Sequence, residues 1–296
     1  MKFSIIIASK DNDNPKLREC LRSIEEQDYP KDDVEVLVIT EGTPESAKAI
    51  GLKRSTGEII CFMASDCEFI YKNTLREVEG SIQNGYAFGA YSFYYYYTKS
   101  DYILNRYFAL FGFNDPVPFY LGKCDRHPHY KRQTIYRINF WKRNIPTLGD
   151  NGFFIRKDLI MRTDLDHYSH IDNCEDLRKI GYYHYALLTI PIHHKTGDNL
   201  WLWIKKRFYY AESLNQNRRW KMFSSPKDIV LLLLFILFSL TMAEPLLRGI
   251  YGYTKSGIKD KAWFLHPIIC FITVFLYGAL CLKFLLLYVR KTVRGN

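Results

Sequence analysis

Two rhythms of hydrophobic and polar positions alternate over the first hundred residues. Lys2 to Ala8 is a run of β-formers, and Pro15 to Gln27 sets Leu17, Leu21 and Ile24 on one helical face. Val34 to Ile39 alternates little and reads as a buried parallel strand, and Ser46 to Arg54 as a short helix ended near Gly57. Glu58 to Met63 gives a third strand and Lys72 to Gln83 a third helix. Strand and helix units at this spacing predict an α/β sheet with parallel strands. Ligands of such sheets bind at the carboxyl ends of the strands. The loops after Ala8, Ile39 and Met63 are thus the places to look for chemistry.

Further along, Tyr86 to Tyr97 is strongly β-prone, and a helix is expected from about Lys99 to Phe111. "FNDPVPFYLGKCDRHPHY" is too rich in proline and polar residues for either element and reads as a long, aromatic, functional loop. "GDNGFFIRKDLI" reads as turn, strand and helix start. "HIDNCEDLRKIGYYHYALLTIPIHH" reads as an acidic helix, a stop at Gly181 and a strand ending at His193 and His194. Asn199 to Leu214 places Trp201, Trp203 and Phe208 beside Lys205, Lys206 and Arg207, which suits a helix lying in a membrane interface. An aromatic helix packed on the domain fits the same pattern. Ile229 to Leu247 and Ile268 to Val289 are each long enough to cross about 30 Å of hydrocarbon. Glu244 with Pro245 interrupts the first near its end, and Lys283 the second.

Composition narrows this picture. With 48% hydrophobic and 24% charged residues, the chain is not disordered. A net charge of +10, spread along the sequence, points to a membrane surface or a phosphate-rich ligand. No zinc-finger spacing or basic helix speaks for nucleic acid, so none is expected as a partner. Seven cysteines without a CxxC pair predict free thiols in a reducing compartment. "MKFSIIIASK" enters a strand at once and does not read as a signal peptide. Both sides of the first apolar run are basic, so charge does not orient it. A two-helix hairpin with both ends cytosolic, in a cell (plasma) membrane or an endomembrane, is the expectation.

The loop after the third strand, "FMASDCEF", offers Asp66. An acidic group there would hold a divalent cation beside a donor's phosphates. It would equally serve to cap the next helix.

Taken in order, the segments resemble the family 2 glycosyltransferases of the GT-A fold over about residues 3 to 196. "FSIIIASKDN" is similar to their first strand and turn. "ECLRSIEEQDYPKDDVEVLVITEGTPES" follows their helix ending in S-x-x-x-Q, then Y-P, a strand and D-D-G-S. "AKAIGLKRSTGEIICFMASDCEF" follows A-R-N-x-G, A-x-G-E and the strand into D-S-D. Two departures stand out. Thr40 and Glu41 replace the paired acids, and Ala64 replaces the first Asp of D-x-D.

The resemblance implies a GT-A (Rossmann-like) mixed-sheet domain over residues 1–197, with a nucleotide-sugar half (1–97) and an acceptor half (98–197). An amphipathic interface segment (198–227) and two membrane helices with a basic tail (228–296) would follow. It implies a nucleotide-sugar donor surrounded by Ser9, Glu41, Lys48 and Asp66, and Mg²⁺ or Mn²⁺ held by Asp66 with His194, or His193 in its place. Asp172 corresponds to the general base of an inverting transfer, with Asp176 and Glu175 as alternatives on the same acidic helix start. Asp150 and Asn151 in "GDNG" would shape the acceptor side. Gln216, Arg219 and Trp220 match Q-x-x-R-W, the signature of family members that work at a membrane, where these residues face an acceptor or its diphosphate. The implied activity is transfer of one sugar to a lipid-borne acceptor, a polyprenyl phosphate or lipid-linked glycan, on the cytosolic face. A phosphate acceptor is already an anion, and Asp172 would then serve positioning. The alternative is a catalytically inactive GT-A scaffold in a membrane assembly, which the loss at Ala64 would suit.

Overall fold

The computed structural model describes residues 1–83, 85–131, 137–143, 145–213 and 218–294. β1 (Phe3–Ala8) pairs in parallel with β2 (Val34–Ile39) on one side and β3 (Ile59–Ala64) on the other. Helices α1 (Pro15–Glu25), α2 (Pro44–Arg54) and α3 (Thr74–Ile82) connect or follow these strands, as the sequence pattern predicts. Proline at the first turn and a capping Asn14 or Thr43 start the first two helices. β2 is parallel as expected but not buried. It is an edge strand with Val36 exposed, because α2 packs against it and no further strand covers its outer side.

The sheet continues through β8 (Phe153–Arg156), β5 (Gly89–Ser92), β9 (His184–Leu188) and β7 (Arg137–Phe140) in the order β2-β1-β3-β8-β5-β9-β7. β8 runs antiparallel between β3 and β5, so the sheet is mixed. A second sheet joins β4 (Cys67–Phe69), β10 (Ile192–His194) and β6 (Tyr95–Tyr96). The β-prone stretch at 86–97 therefore feeds two sheets, as does the expected strand ending at His194. α4 (Ile103–Phe111) begins four residues later than about Lys99. The stretch 113–130, expected to be all loop, contains α5 (Pro116–Tyr120), started by Asp115 accepting from the Val117 amide at 2.9 Å. Proline at the first helical position costs no hydrogen bond, so its presence here starts a helix rather than excluding one. α6 (Lys157–Ile160) and α7 (His170–Lys179) complete the domain.

α8 (Leu200–Ser213) packs one side on the domain, the second of the two readings its sequence offers. Trp203 is buried against Phe108 and donates from Nε1 to the Asn114 carbonyl at 2.8 Å. Leu200, Trp201 and Leu202 are exposed.

The first apolar run is not one straight span. It is split into α9 (Pro226–Thr241) and α10 (Ala243–Lys255), bent by 84°. Pro245 explains the break, because its ring cannot pack against the carbonyl four residues back, that of Thr241, where α9 stops. Met242 turns the corner at φ 56°. The stretch Lys261–Leu286, which runs from the turn before α11 (His266–Arg294) into that helix, reaches a mean hydropathy of 2.3 and is long enough to cross a bilayer. Among the described residues, the expected two-helix membrane hairpin thus reduces to one such helix, or two if the bent pair counts as a span. All seven cysteines are free and five of them are buried.

Candidate active site

A cavity of about 1280 Å³ opens at the carboxyl ends of the parallel strands. Its floor includes Ala64 and Asp66 after β3, and one wall is the first turn of α2 with Glu45 and Lys48. Asp150 and Asn151 reach it from the turn before β8, and Asp172 from α7. The turn is built for this approach. Gly149 and Gly152 adopt φ 110° and 77°, and a Cβ on either would fall 2.7 Å from the His170 carbonyl oxygen or 2.3 Å from Ile192 Cδ1.

Asp66 and His194 meet here, Oδ1 to Nε2, at 3.3 Å. Burial opposes ionisation of Asp66, but His194 and more distant lysines outweigh it and hold the carboxyl well below its usual range. The buried Nδ1 of His194 has no hydrogen-bond partner. His193, the alternative ligand, points the other way along the strand and bonds Asp101 Oδ2 at 2.8 Å. Asp66 and His194 thus have the chemistry to hold a divalent cation, and Cys67 Sγ lies within 4.8 Å of both their ligand atoms.

Lys48 is buried and its ammonium sits 2.7 Å from Asp150 Oδ2 and 3.5 Å from Glu45. Glu45 in turn accepts from the His170 amide at 2.9 Å and meets its ring at 2.7 Å. Burial works against the Glu45 carboxylate, but His170 and Lys48 together hold its pKa well below the usual range. These contacts tie α2 to the start of α7. Ser9 and Glu41 do not line this cavity. The Ser9 hydroxyl donates to the Asp11 carbonyl at 2.8 Å, and the exposed Glu41 pairs with Arg54 at 3.4 Å.

Asp172 is buried and accepts the Trp220 amide at Oδ1, 2.8 Å away. Its two alternatives are engaged elsewhere and do not line the cavity. Glu175 is held by both ends of the Arg178 guanidinium at 2.7 Å, and Asp176 by Arg219 at 2.9 Å. Burial raises the Asp176 pKa, with Arg219 acting against it. Trp220 belongs to the domain core, donating from Nε1 to the Ile145 carbonyl at 3.0 Å, and it also lines the cavity. An interfacial anchor would face lipid, so this placement speaks against that role for Trp220. Gln216 lies outside the described residues.

Sequence reasoning missed a group on the far side of the cavity. Asp115, which caps α5, accepts from the Tyr277 hydroxyl of α11 and lies 3.6 Å from Arg207 of α8. Lys206, Arg207 and Tyr277 line the cavity beside Asp125, whose carboxyl is pushed up by burial. A basic pair on an aromatic helix was visible in the sequence, but nothing local indicated that it turned toward Asp66. Asp125 pairs with the fully buried Arg126, which donates to the Asn151 carbonyl at 2.9 Å and lies over the rings of Tyr91 and Tyr95. The loop thus shapes the cavity through an interior cation.

No family model matches the chain, and no curated protein matches it. Solved structures do. The chain is similar to S. aureus TarS 1-349, with 15% identity, a TM-score of 0.44, and 73% of this chain and 66% of that one covered. It therefore spans just under two thirds of that structure's length. It is also similar to the mannosyltransferase PcManGT from Pyrobaculum calidifontis in complex with GDP-Man and Mn²⁺, with 13% identity, a TM-score of 0.47, and 93% and 87% coverage. A197 from STIV matches with 14% identity, a TM-score of 0.41, and 66% and 85% coverage. Likeness at this level does not carry function across, because function resides in the residues of a site and not in the fold that bears them.

Proposed function

We propose that the protein is a membrane-associated glycosyltransferase that moves one sugar, with inversion, from a nucleotide-sugar to a lipid-borne acceptor. The observation that carries this reading is convergence on one cavity. Asp66, His194, Lys48, Asp172, Arg219, Trp220 and Tyr277 of the apolar helix all line it. Water-soluble donor and lipid-held acceptor require such a cavity, with one side at strand ends and the other against membrane helices.

In this reading Asp66 and His194 hold a divalent cation, Mg²⁺ or Mn²⁺, which when bound neutralises charge on the leaving diphosphate. The cations Lys48, Lys206 and Arg207 add positive potential around the donor's phosphates. Asp172 takes the acceptor hydroxyl proton. Its Oδ1 is fixed by the Trp220 amide, so Oδ2 is the oxygen that serves the reaction. Arg219 and Trp220 border the acceptor side.

A second reading, a catalytically inactive scaffold, is favoured by Ala64, which places no carboxylate at the first position of the metal loop. One experiment separates them. Purified protein in detergent is incubated with radiolabelled UDP- and GDP-sugars and a lipid extract, with and without chelator, alongside Asp66→Asn. Transfer or hydrolysis that is lost on chelation and in the variant supports the enzyme. Absence of both turnover and nucleotide binding in the wild type favours the scaffold.

A further inference from the structure

Cys67 packs in the hydrophobic core and also stands beside Asp66 and His194. β4 and β10 are antiparallel, and Cys67 is directly opposite His194 in their register. Directly opposed residues put their side chains on the same face, with Cβ atoms about 4.5–5.5 Å apart. Asp66 precedes Cys67 and turns its carboxylate to the same imidazole. One oxygen, one sulfur and one nitrogen therefore lie within 4.8 Å of one another. The thiol donates to Asn151 Oδ1 at 3.8 Å, a weak contact. His194 is buried and has no hydrogen-bond partner at Nδ1, so the ring is not committed to a second protein group on that side.

We infer that the Cys67 thiolate is a third protein ligand of this site, so that a borderline divalent ion such as Zn²⁺ or Co²⁺ takes the place of the Mg²⁺ or Mn²⁺ named in the proposed function. Three protein ligands with a fourth position open to the cavity is the arrangement of catalytic rather than structural zinc sites. Asp66 and His194 line the cavity while Cys67 lies behind them, so the open position faces the space where a phosphate oxygen would sit. A carboxylate and water suit Mg²⁺, whereas a thiolate does not. Binding exchanges the thiol proton for the metal, so the sulfur gains a metal bond and the proton passes to solvent. The inference rests on the proposed function only for the identity of the ligand that fills the open position.

The test uses the full-length protein in detergent, stripped with chelator and carrying Cys124→Ser and Cys281→Ser to silence the more accessible thiols. Titration with Cd²⁺ should raise a sulfur-to-metal charge-transfer absorption that Cys67→Ser lacks. Affinity in Cys67→Ser should fall by more than the roughly 10–100-fold that loss of an outer-shell partner brings. X-ray absorption of the Zn²⁺-loaded protein should show one sulfur at about 2.3 Å with nitrogen and oxygen neighbours. This second measurement stands even if Cys67→Ser does not fold. A first shell of nitrogen and oxygen alone, or a band that persists in folded Cys67→Ser, overturns the inference. Binding of UDP or GDP to the same loaded protein is measured in parallel. Nucleotide bound without a sulfur ligand would leave the proposed function standing and remove the thiolate. A sulfur ligand without binding of either nucleotide would keep the site and remove the donor assignment.

Discussion

Asp172→Asn separates the two things that Asp172 does. Its Oδ1 accepts the buried Trp220 amide at 2.8 Å, and an asparagine oxygen can accept the same bond. Only the strength contributed by the negative charge is lost, about 1 kcal/mol from the difference between charged and neutral hydrogen bonds. Asp172→Ala instead leaves that amide unpaired in the core, which costs about 1–3 kcal/mol. In a domain of this size each kcal/mol lowers the melting temperature by about 2–4 °C, so the two variants are distinguishable by thermal unfolding. Catalysis should follow a different order. Both variants lack a proton acceptor, and turnover should fall by about 10²–10⁴ in each. Initial rates of sugar transfer, measured with nucleotide binding by calorimetry, give the comparison. Asp172→Asn with turnover near that of wild type would refute the assignment of the base. Nucleotide binding lost in proportion to stability would show that Asp172 only braces the segment carrying Trp220.

Four further outcomes are expected. The Glu45 carboxylate has a folded pKa depressed below its unfolded value of about 4.3, so its contribution is present above that pH and is lost as pH falls toward the folded value. Acid unfolding below about pH 4 should be less steep in Glu45→Gln, and an unchanged acid limb would remove Glu45 from the account. Gly89→Ala should lower the urea midpoint by an amount equivalent to about 1–3 kcal/mol, since a Cβ there falls 2.4 Å from the Phe154 carbonyl oxygen in the adjoining strand. A wild-type midpoint would mean that β5 and β8 separate easily. Arg219→Lys should impair acceptor use while donor binding persists. The guanidinium meets Asp176, the His167 carbonyl and Asn173 at 3.0, 3.2 and 3.4 Å, a fork that an ammonium cannot reproduce. Trp220→Tyr should do the same, and normal acceptor kinetics in detergent for both variants would remove their acceptor role.

The local pattern was sufficient for β1 and β3, unbroken runs of β-formers buried on both faces, and for α1, whose apolar positions recur on one helical face, while α2 is marked by its Thr43 cap and the proline that follows. It also placed Asp66 at a strand end and marked the turn at Gly149 to Gly152, while leaving open whether Asp66 would serve a metal or cap the next helix. The resemblance in order and spacing brought His194 and Asp172 forward, and both line the cavity with Asp66. Tertiary structure decided the rest. β4 and β7 are short and carry no alternation long enough to read, so they exist by pairing with β10 and β9. β2 is an edge because of its place in the sheet order, not its composition. The choice between His193 and His194 depends on which face of β10 meets Asp66, and a one-residue shift in register would exchange them. Asp115, Arg207 and Tyr277 come from segments far apart in sequence and share a cavity only because α11 packs back onto α5 and α8. No periodicity within any one of those segments encodes that encounter.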